Sequence, residues 1–345
     1  MAGPKILVTG GAGFIGCNLV HSLLSDGYDV TVFDNLSRNG SKLNAAWLAS
    51  VHGKAFRLLE GDVRDFRAVA EAVRGKDRIY HFAAQVAVTT SVQDPRTDFE
   101  INALGTFNVL EAARTVADHP VVLFTSTNKV YGGMEDVAIV ESATRYEYRD
   151  FPDGIDESRP LDFHSPYGCS KGAADQYVRD YYRIYDIPTI VFRMSCIYGT
   201  RQFGVEDQGW VAHFVISAVR NRPITIYGDG KQVRDILFAD DLVRAMRMAP
   251  EHLDRTAGQV FNIGGGAANT ISIWAEFKEI LSHLAGEPVE AAAWGPWRPG
   301  DQLVYVSNCA KAKEAFGWEP QVSKEEGIAQ LWHWVRENPE LFASL

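Results

Sequence analysis

The chain has 345 residues, 46% hydrophobic and 23% charged, with a formal net charge of −10. That length admits one large α/β unit and a smaller one, and the composition fits neither a disordered nor a repetitive chain. The acidic balance excludes a general nucleic-acid or anionic-membrane surface, and no apolar run has the length of a signal sequence or membrane span; a cytoplasmic protein with a small-molecule partner is expected.

In chain order, Lys5–Thr9 reads as a short buried strand. Gly10-Gly11-Ala12-Gly13-Phe14-Ile15-Gly16 then leads into an amphipathic stretch, Cys17 to Leu24, that reads as helix. Gly10, Gly13 and Gly16 fit GxxGxxG, and Gly11, Gly13 and Gly16 fit GxGxxG. Strand, glycine turn and helix in that order let a pyrophosphate approach the backbone and sit at a helix N-terminus. A second strand, Asp29 to Phe33, ends at Asp34, where a carboxylate would bond an adenosine ribose and repel a 2′-phosphate. NAD is therefore expected over NADP, although Arg38 lies nearby. Further strands are predicted at 55–59, 78–82, 121–126 and 189–193, with helices at 66–73, 98–115 and 166–185 between most of them. Asp62-Val63, after the third strand, is placed to meet the adenine, with a helix cap as the alternative role for Asp62.

Such alternation predicts an α/β fold, a doubly wound parallel sheet with a smaller C-terminal substrate domain. Residues 1–190 are assigned to the nucleotide-binding unit, with a segment of about 232–266 returning to it; 191–231 and 267–345 are assigned to the second domain. Gln259–Ile263 is the expected returning strand, and Glu141 to Asp156 reads as a polar, aromatic-rich loop over the site.

Two later motifs carry chemistry. Asp162-Phe163-His164-Ser165-Pro166-Tyr167-Gly168-Cys169-Ser170-Lys171 sets a tyrosine four residues before a lysine, just after a Ser-Pro helix start. Both then share one helix face, and Lys171 is expected to hold Tyr167 near its phenolate form. The run Phe124-Thr125-Ser126-Thr127-Asn128-Lys129 ends a strand where doubly wound folds bind ligands, so Thr127 is a candidate to bond the reacting hydroxyl beside Tyr167. Cys17, Cys169, Cys196 and Cys309 form no CxxC, and the histidines show no HxH or HExxH spacing; neither a disulfide framework nor a metal site is expected.

Taken together, TGGAGFIG, His81-Phe82-Ala83-Ala84, STNKVYG and SPYGCSK resemble the extended short-chain dehydrogenase/reductase family, in its motif order and over most of the chain. Within it, the stretches 34–38, 88–91, 98–102, 126–129, 161–176, 207–211 and 230–235 are most similar to the CDP-tyvelose (CDP-paratose) 2-epimerases. The resemblance implies a tightly bound NAD and inversion at C2 of a 3,6-dideoxyhexose carried on cytidine diphosphate, through a 2-keto sugar. Its catalytic positions fall on Thr127, Tyr167 and Lys171. Cofactor contacts are expected from Gly10, Gly13, Phe14, Ile15, Gly16, Asp34, Asn35, Ser37, Arg38, Asp62, Val63, Ala83, Ala84, Gln85, Asn102, Tyr167 and Lys171.

Substrate contacts are expected from Thr127, Asn128, His164, Gln208, Trp210, Arg234, Arg298 and Asp301, the two arginines gripping the pyrophosphate. Met194 stands where the likeness leads one to expect histidine. Dehydratases of the family carry Asp-Glu after the threonine and decarboxylases a glutamate, whereas this chain has Asn128 and Lys129. A CDP-sugar is the favoured partner. A UDP-sugar 4-epimerase and a 2-epimerase of another CDP- or GDP-hexose remain open, and a homodimer or homotetramer is expected.

Overall fold

The structure is a computed structural model that describes residues 3–115, 119–298 and 301–343. Seven strands form the main sheet: β1 (Lys5–Thr9), β2 (Asp29–Asp34), β3 (Arg57–Glu60), β4 (Arg78–His81), β5 (Val121–Thr127), β6 (Thr189–Met194) and β7 (Gln259–Ile263). They run in the order β7-β6-β5-β4-β1-β2-β3, all parallel.

The strands read as continuous apolar runs because both faces are covered. Side chains alternate across a strand, so Ile6 and Val8 enter one core with helix Phe14–Ser25, while Leu7 enters the other with helices Phe66–Val73 and Gly105–Thr115. Val32 and Phe33, and Leu123 with Val122 and Phe124, divide between the same two cores. Each fully buried aliphatic side chain contributes about 1.5–3 kcal/mol. The chain order reverses at β1, whose neighbours are β2 and β4, and this opens a crevice at the strand ends.

The predicted helix over 98–115 is interrupted. Pro95–Phe99 and Gly105–Thr115 are joined by a π-helical turn, Glu100–Leu104. Asn102 in that turn points inward and is fully hydrogen-bonded: Oδ1 accepts from Gln85 N (2.9 Å), and Nδ2 faces Gln85 O (3.0 Å), Asp98 (3.1 Å) and Ser170 (3.1 Å). An extra residue in one turn is the backbone's accommodation to that buried network.

Beyond β6 the chain builds a smaller sheet centred on Val233–Phe238, which pairs with Cys196–Tyr198, Thr270–Ser272 and Val304–Tyr305. Of the segment expected to return over 232–266, Val233–Phe238 stays outside the main sheet, while Gln259–Ile263, the expected returning strand, joins it as β7 beside β6. Helices Trp210–Val219, Phe277–Ala285 and Lys324–Glu337 close on an aromatic core that includes Phe214, Trp274 and Phe277. The segment read as a loop contains a hairpin strand, Tyr146–Tyr148, paired with Ile139–Glu141 and tied to the small domain by Tyr146 Oη donating to Asp229 (2.6 Å). No helix among the described residues is long and apolar enough to cross a membrane.

Candidate active site

One cleft runs along the strand ends. At its floor Gly10 adopts φ +68°, and a β-carbon there would lie 2.6 Å from Ala83 N, so the turn after β1 lies against the Phe82-Ala83 backbone only because this residue is glycine. A β-carbon on Gly16 would overlap the Gly10 carbonyl. Helix Phe14–Ser25 begins at Gly13 without a side-chain cap, leaving its first N–H groups for the cleft, which Gly10, Gly13, Phe14, Ile15 and Gly16 line.

Asp34 closes β2 with its carboxylate accepting from Ala12 N (3.0 Å) and Leu36 N (2.8 Å), and burial pushes its pKa up. Asn35, Ser37, Arg38, Asp62 and Val63 form the adjoining wall. Asp62 is forked by Arg64 (2.8 and 2.9 Å) and reached by Asn35 Nδ2 (3.0 Å); the Arg64 hydrogen bonds hold it at about 2. The helix-cap alternative for Asp62 fails, because Asp65 caps Phe66–Val73. Ala83, Ala84 and Gln85 line the opposite wall. Asn102 does not line the cleft; it lies behind the wall, holding the Gln85 backbone in place.

Helix Ser165–Tyr185 carries Tyr167 and Lys171 into the same cleft. Tyr167 N is bonded to Ser91 Oγ (3.1 Å), and Lys171 Nζ donates to Thr125 O (2.6 Å) with the Phe124 ring 4.2 Å away. Burial works against the phenolate form expected of Tyr167. Burial pushes the Tyr167 phenol up to about 12, against the opposing pull of a Thr127 hydrogen bond and the Arg38 charge. Burial also lowers Lys171 to about 7. Both groups sit in low-dielectric surroundings that disfavour their charged forms, and the lysine is aimed at a backbone carbonyl.

Thr127 and Asn128 are buried at the end of β5, and Asn128 Nδ2 lies 3.4 Å from Gln302 Oε1. Arg234 is buried, donating to Asp301 (2.6 Å) and to Val233 O (2.8 Å). Arg298 lies over the Tyr227 ring at 4.1 Å and donates to Glu206 O (3.1 Å). Trp210 packs on Phe277 with ring centroids 5.2 Å apart, and Gln208 lines the cleft. His164 is exposed at the start of helix Ser165–Tyr185 and does not line the cleft; the chain turns at Ser165, φ +67°. Met194 lines it from the end of β6.

Sequence reasoning passed over Arg201, Gln202, Phe203 and Gly204, which line the cleft from the loop after Cys196–Tyr198. Only the turn signal at Tyr198-Gly199-Thr200 marked that region, and nothing local indicated which way the loop faces. Gln302 was passed over as well; it meets Lys129, noted in the sequence only as standing where related enzymes carry an acid, at 3.4 Å across 173 residues.

The family model described as GDP-mannose 4,6 dehydratase matches residues 7–331. The chain belongs to this family, within the extended short-chain dehydrogenases/reductases. It is 44% identical to the CDP-paratose 2-epimerase of Salmonella typhi over 96% of this chain and 99% of that one. Among solved structures, the UDP-glucose 4-epimerase of Thermotoga maritima with UDP-glucose is similar at 30% identity and TM-score 0.82, covering 97% of this chain and 99% of that one. A double mutant of the dTDP-glucose 4,6-dehydratase of Streptomyces venezuelae, solved with NAD, is similar at 31% identity and TM-score 0.82, covering 97% and 98%.

Proposed function

We propose that this protein is an NAD-dependent epimerase that inverts C2 of a nucleotide-diphosphate sugar, converting CDP-paratose to CDP-tyvelose. The observation that carries this reading is the 44% identity to a CDP-paratose 2-epimerase across nearly the whole of both chains. Asn128 and Lys129 after Thr127 add support, since the acids that the family resemblance associates with dehydration and decarboxylation are absent there.

The cleft fits NAD. A close approach at Gly10, an uncapped helix start at Gly13 and a carboxylate at Asp34 are the features a pyrophosphate and an unphosphorylated ribose require. Gly10 through Gly16, Asp34 to Arg38, Asp62-Val63 and Ala83 to Gln85 would hold it, and Asn102 would brace that last segment. Bound NAD supplies reversible two-electron oxidation of the sugar carbon.

The chain's own part is proton transfer and positioning. Tyr167 Oη, as the phenolate that the Thr127 hydrogen bond, the Arg38 charge and the positive nicotinamide ring of bound NAD would favour, takes the proton of the sugar 2-hydroxyl and returns it when the alcohol is re-formed. Arg234 and Arg298 hold the pyrophosphate while the sugar turns its other face. Two copies pair through helices Gly105–Thr115 and Ser165–Tyr185, whose Phe107, Tyr177, Tyr182 and Ile184 are exposed. Sedimentation of Ile184→Glu as a monomer would bear this out, and an unchanged oligomer would refute it.

The deciding experiment is proton NMR of the purified protein in D2O without added NAD, with CDP-paratose, CDP-tyvelose, CDP-glucose, GDP-glucose and UDP-galactose. Inversion at C2 without deuterium at that carbon is expected, and only with the CDP-dideoxyhexoses. Preference for CDP-glucose or GDP-glucose would change the carrier, inversion at C4 would favour a UDP-sugar 4-epimerase, and deuterium at C2 would overturn the internal redox chemistry.

A further inference from the structure

Asp98 has no part in the reading above, yet it is buried against the helix that carries Tyr167 and Lys171. Tyr167, Ser170 and Lys171 stand at positions i, i+3 and i+4 of that helix, so they share one face, and all three are buried. Ser170 Oγ lies 2.5 Å from Asp98 Oδ2, which places the carboxylate on this face.

The hydrogen bonds fix its form. Asn102 Oδ1 accepts from Gln85 N, so Nδ2 is the donor end, and it points to Asp98 Oδ1 and to Ser170 Oγ, each at 3.1 Å. With its oxygen taken by Asn102, Ser170 gives its own proton to Asp98. Both carboxylate oxygens then accept, the pattern of an ionised group. Burying such a charge is costly unless a cation answers it, and Lys171 is the cation that faces it.

The other charged and titratable groups near Lys171 are otherwise engaged. Asp175, one turn further along the helix, is paired with Arg193 at 2.9 Å. His81 on β4 is bonded to Thr9 and Thr106, and burial lowers it to about 3, leaving it neutral. Burial lowers Lys171 to about 7, with Asp175 first and Asp98 second acting the other way. Around Tyr167, Thr127 and Arg38 favour the phenolate and Asp98 opposes it, so the group that Asp98 serves is the lysine.

We propose that Asp98 is a positioning residue for the proton-transfer pair: its carboxylate holds Lys171 in the ammonium form and, through Ser170, fixes the helix face that carries Tyr167. The inference rests on the epimerase reading above, in which that pair works on the sugar. It involves no covalent change.

Carbon-13 NMR of the full chain labelled at lysine Cε follows the titration of Lys171, whose signal is the one lost in Lys171→Met. Asp98→Asn removes the charge at nearly constant volume and should move that titration to lower pH by about 0.5–1 pH unit, leaving the ammonium-to-amine ratio about three- to tenfold lower. The break that Lys171 sets in the pH–rate profile with CDP-paratose should move by the same amount, which loss of packing alone would not cause. Asp98→Ser, smaller and also neutral, repeats the test if Asp98→Asn does not fold. A Lys171 titration that stays in place, or a moved titration with an unmoved pH–rate break, overturns the role of Asp98 and leaves the epimerase reading standing. A moved titration without turnover of CDP-paratose upholds Asp98 as the counter-charge and sinks the epimerase reading.

Discussion

Replacing Lys171 by methionine should make the nucleotide-free protein more stable while removing its activity. The lysine is 4% exposed, and burial lowers it from an ordinary 10.5 to about 7. At 1.36 kcal/mol per tenfold change in proton affinity, keeping it charged in the fold costs about 5 kcal/mol. Release of the proton from half the molecules at pH 7 reduces this to about 4 kcal/mol. Methionine fills a similar volume but forfeits the bond to Thr125 O, 2.6 Å long, a loss of about 1–1.5 kcal/mol. A net gain of about 2–3 kcal/mol at pH 7 follows from those figures.

Between pH 7 and 10.5 the unfolded chain binds more protons at this lysine than the native one, so wild-type stability rises with pH through that window. The advantage of Lys171→Met accordingly shrinks as pH approaches 10.5. Urea unfolding at several pH values measures both effects. A variant no more stable than wild type at pH 7, or an advantage independent of pH, would refute the reasoning.

Tyr167→Phe should lower turnover at least about a hundredfold while sparing NAD affinity, as read by single-substrate kinetics and cofactor titration; near-normal turnover would remove Tyr167 from the mechanism. Gly16→Ala drives a methyl group into the Gly10 carbonyl, so NAD binding should fall at least about tenfold, measured by fluorescence titration. Asp175→Ala strands Arg193, 3% exposed and 2.9 Å from that carboxylate; a loss of about 3–5 kcal/mol is expected in urea, and a loss below about 1 kcal/mol would show that water reaches the pair.

The sheet was legible in the sequence because its signals are local. Apolar runs such as Lys5–Thr9 and Thr189–Met194, the glycine turn after the first of them, and the Tyr167-Lys171 spacing each lie within one or two elements. Near neighbours in sequence set such features, through backbone sterics and side-chain period. Tertiary structure decided what depends on distant partners. It broke the helix at Glu100–Leu104 so that Asn102 could hold Gln85, and turned the 201–204 loop into the cleft. It also brought Lys129 to Gln302. The protonation of Tyr167 and Lys171 belongs to the same class. Spacing set them on one helix face, but desolvation, a property of the assembled core, tightens the phenol's hold on its proton and weakens the lysine's.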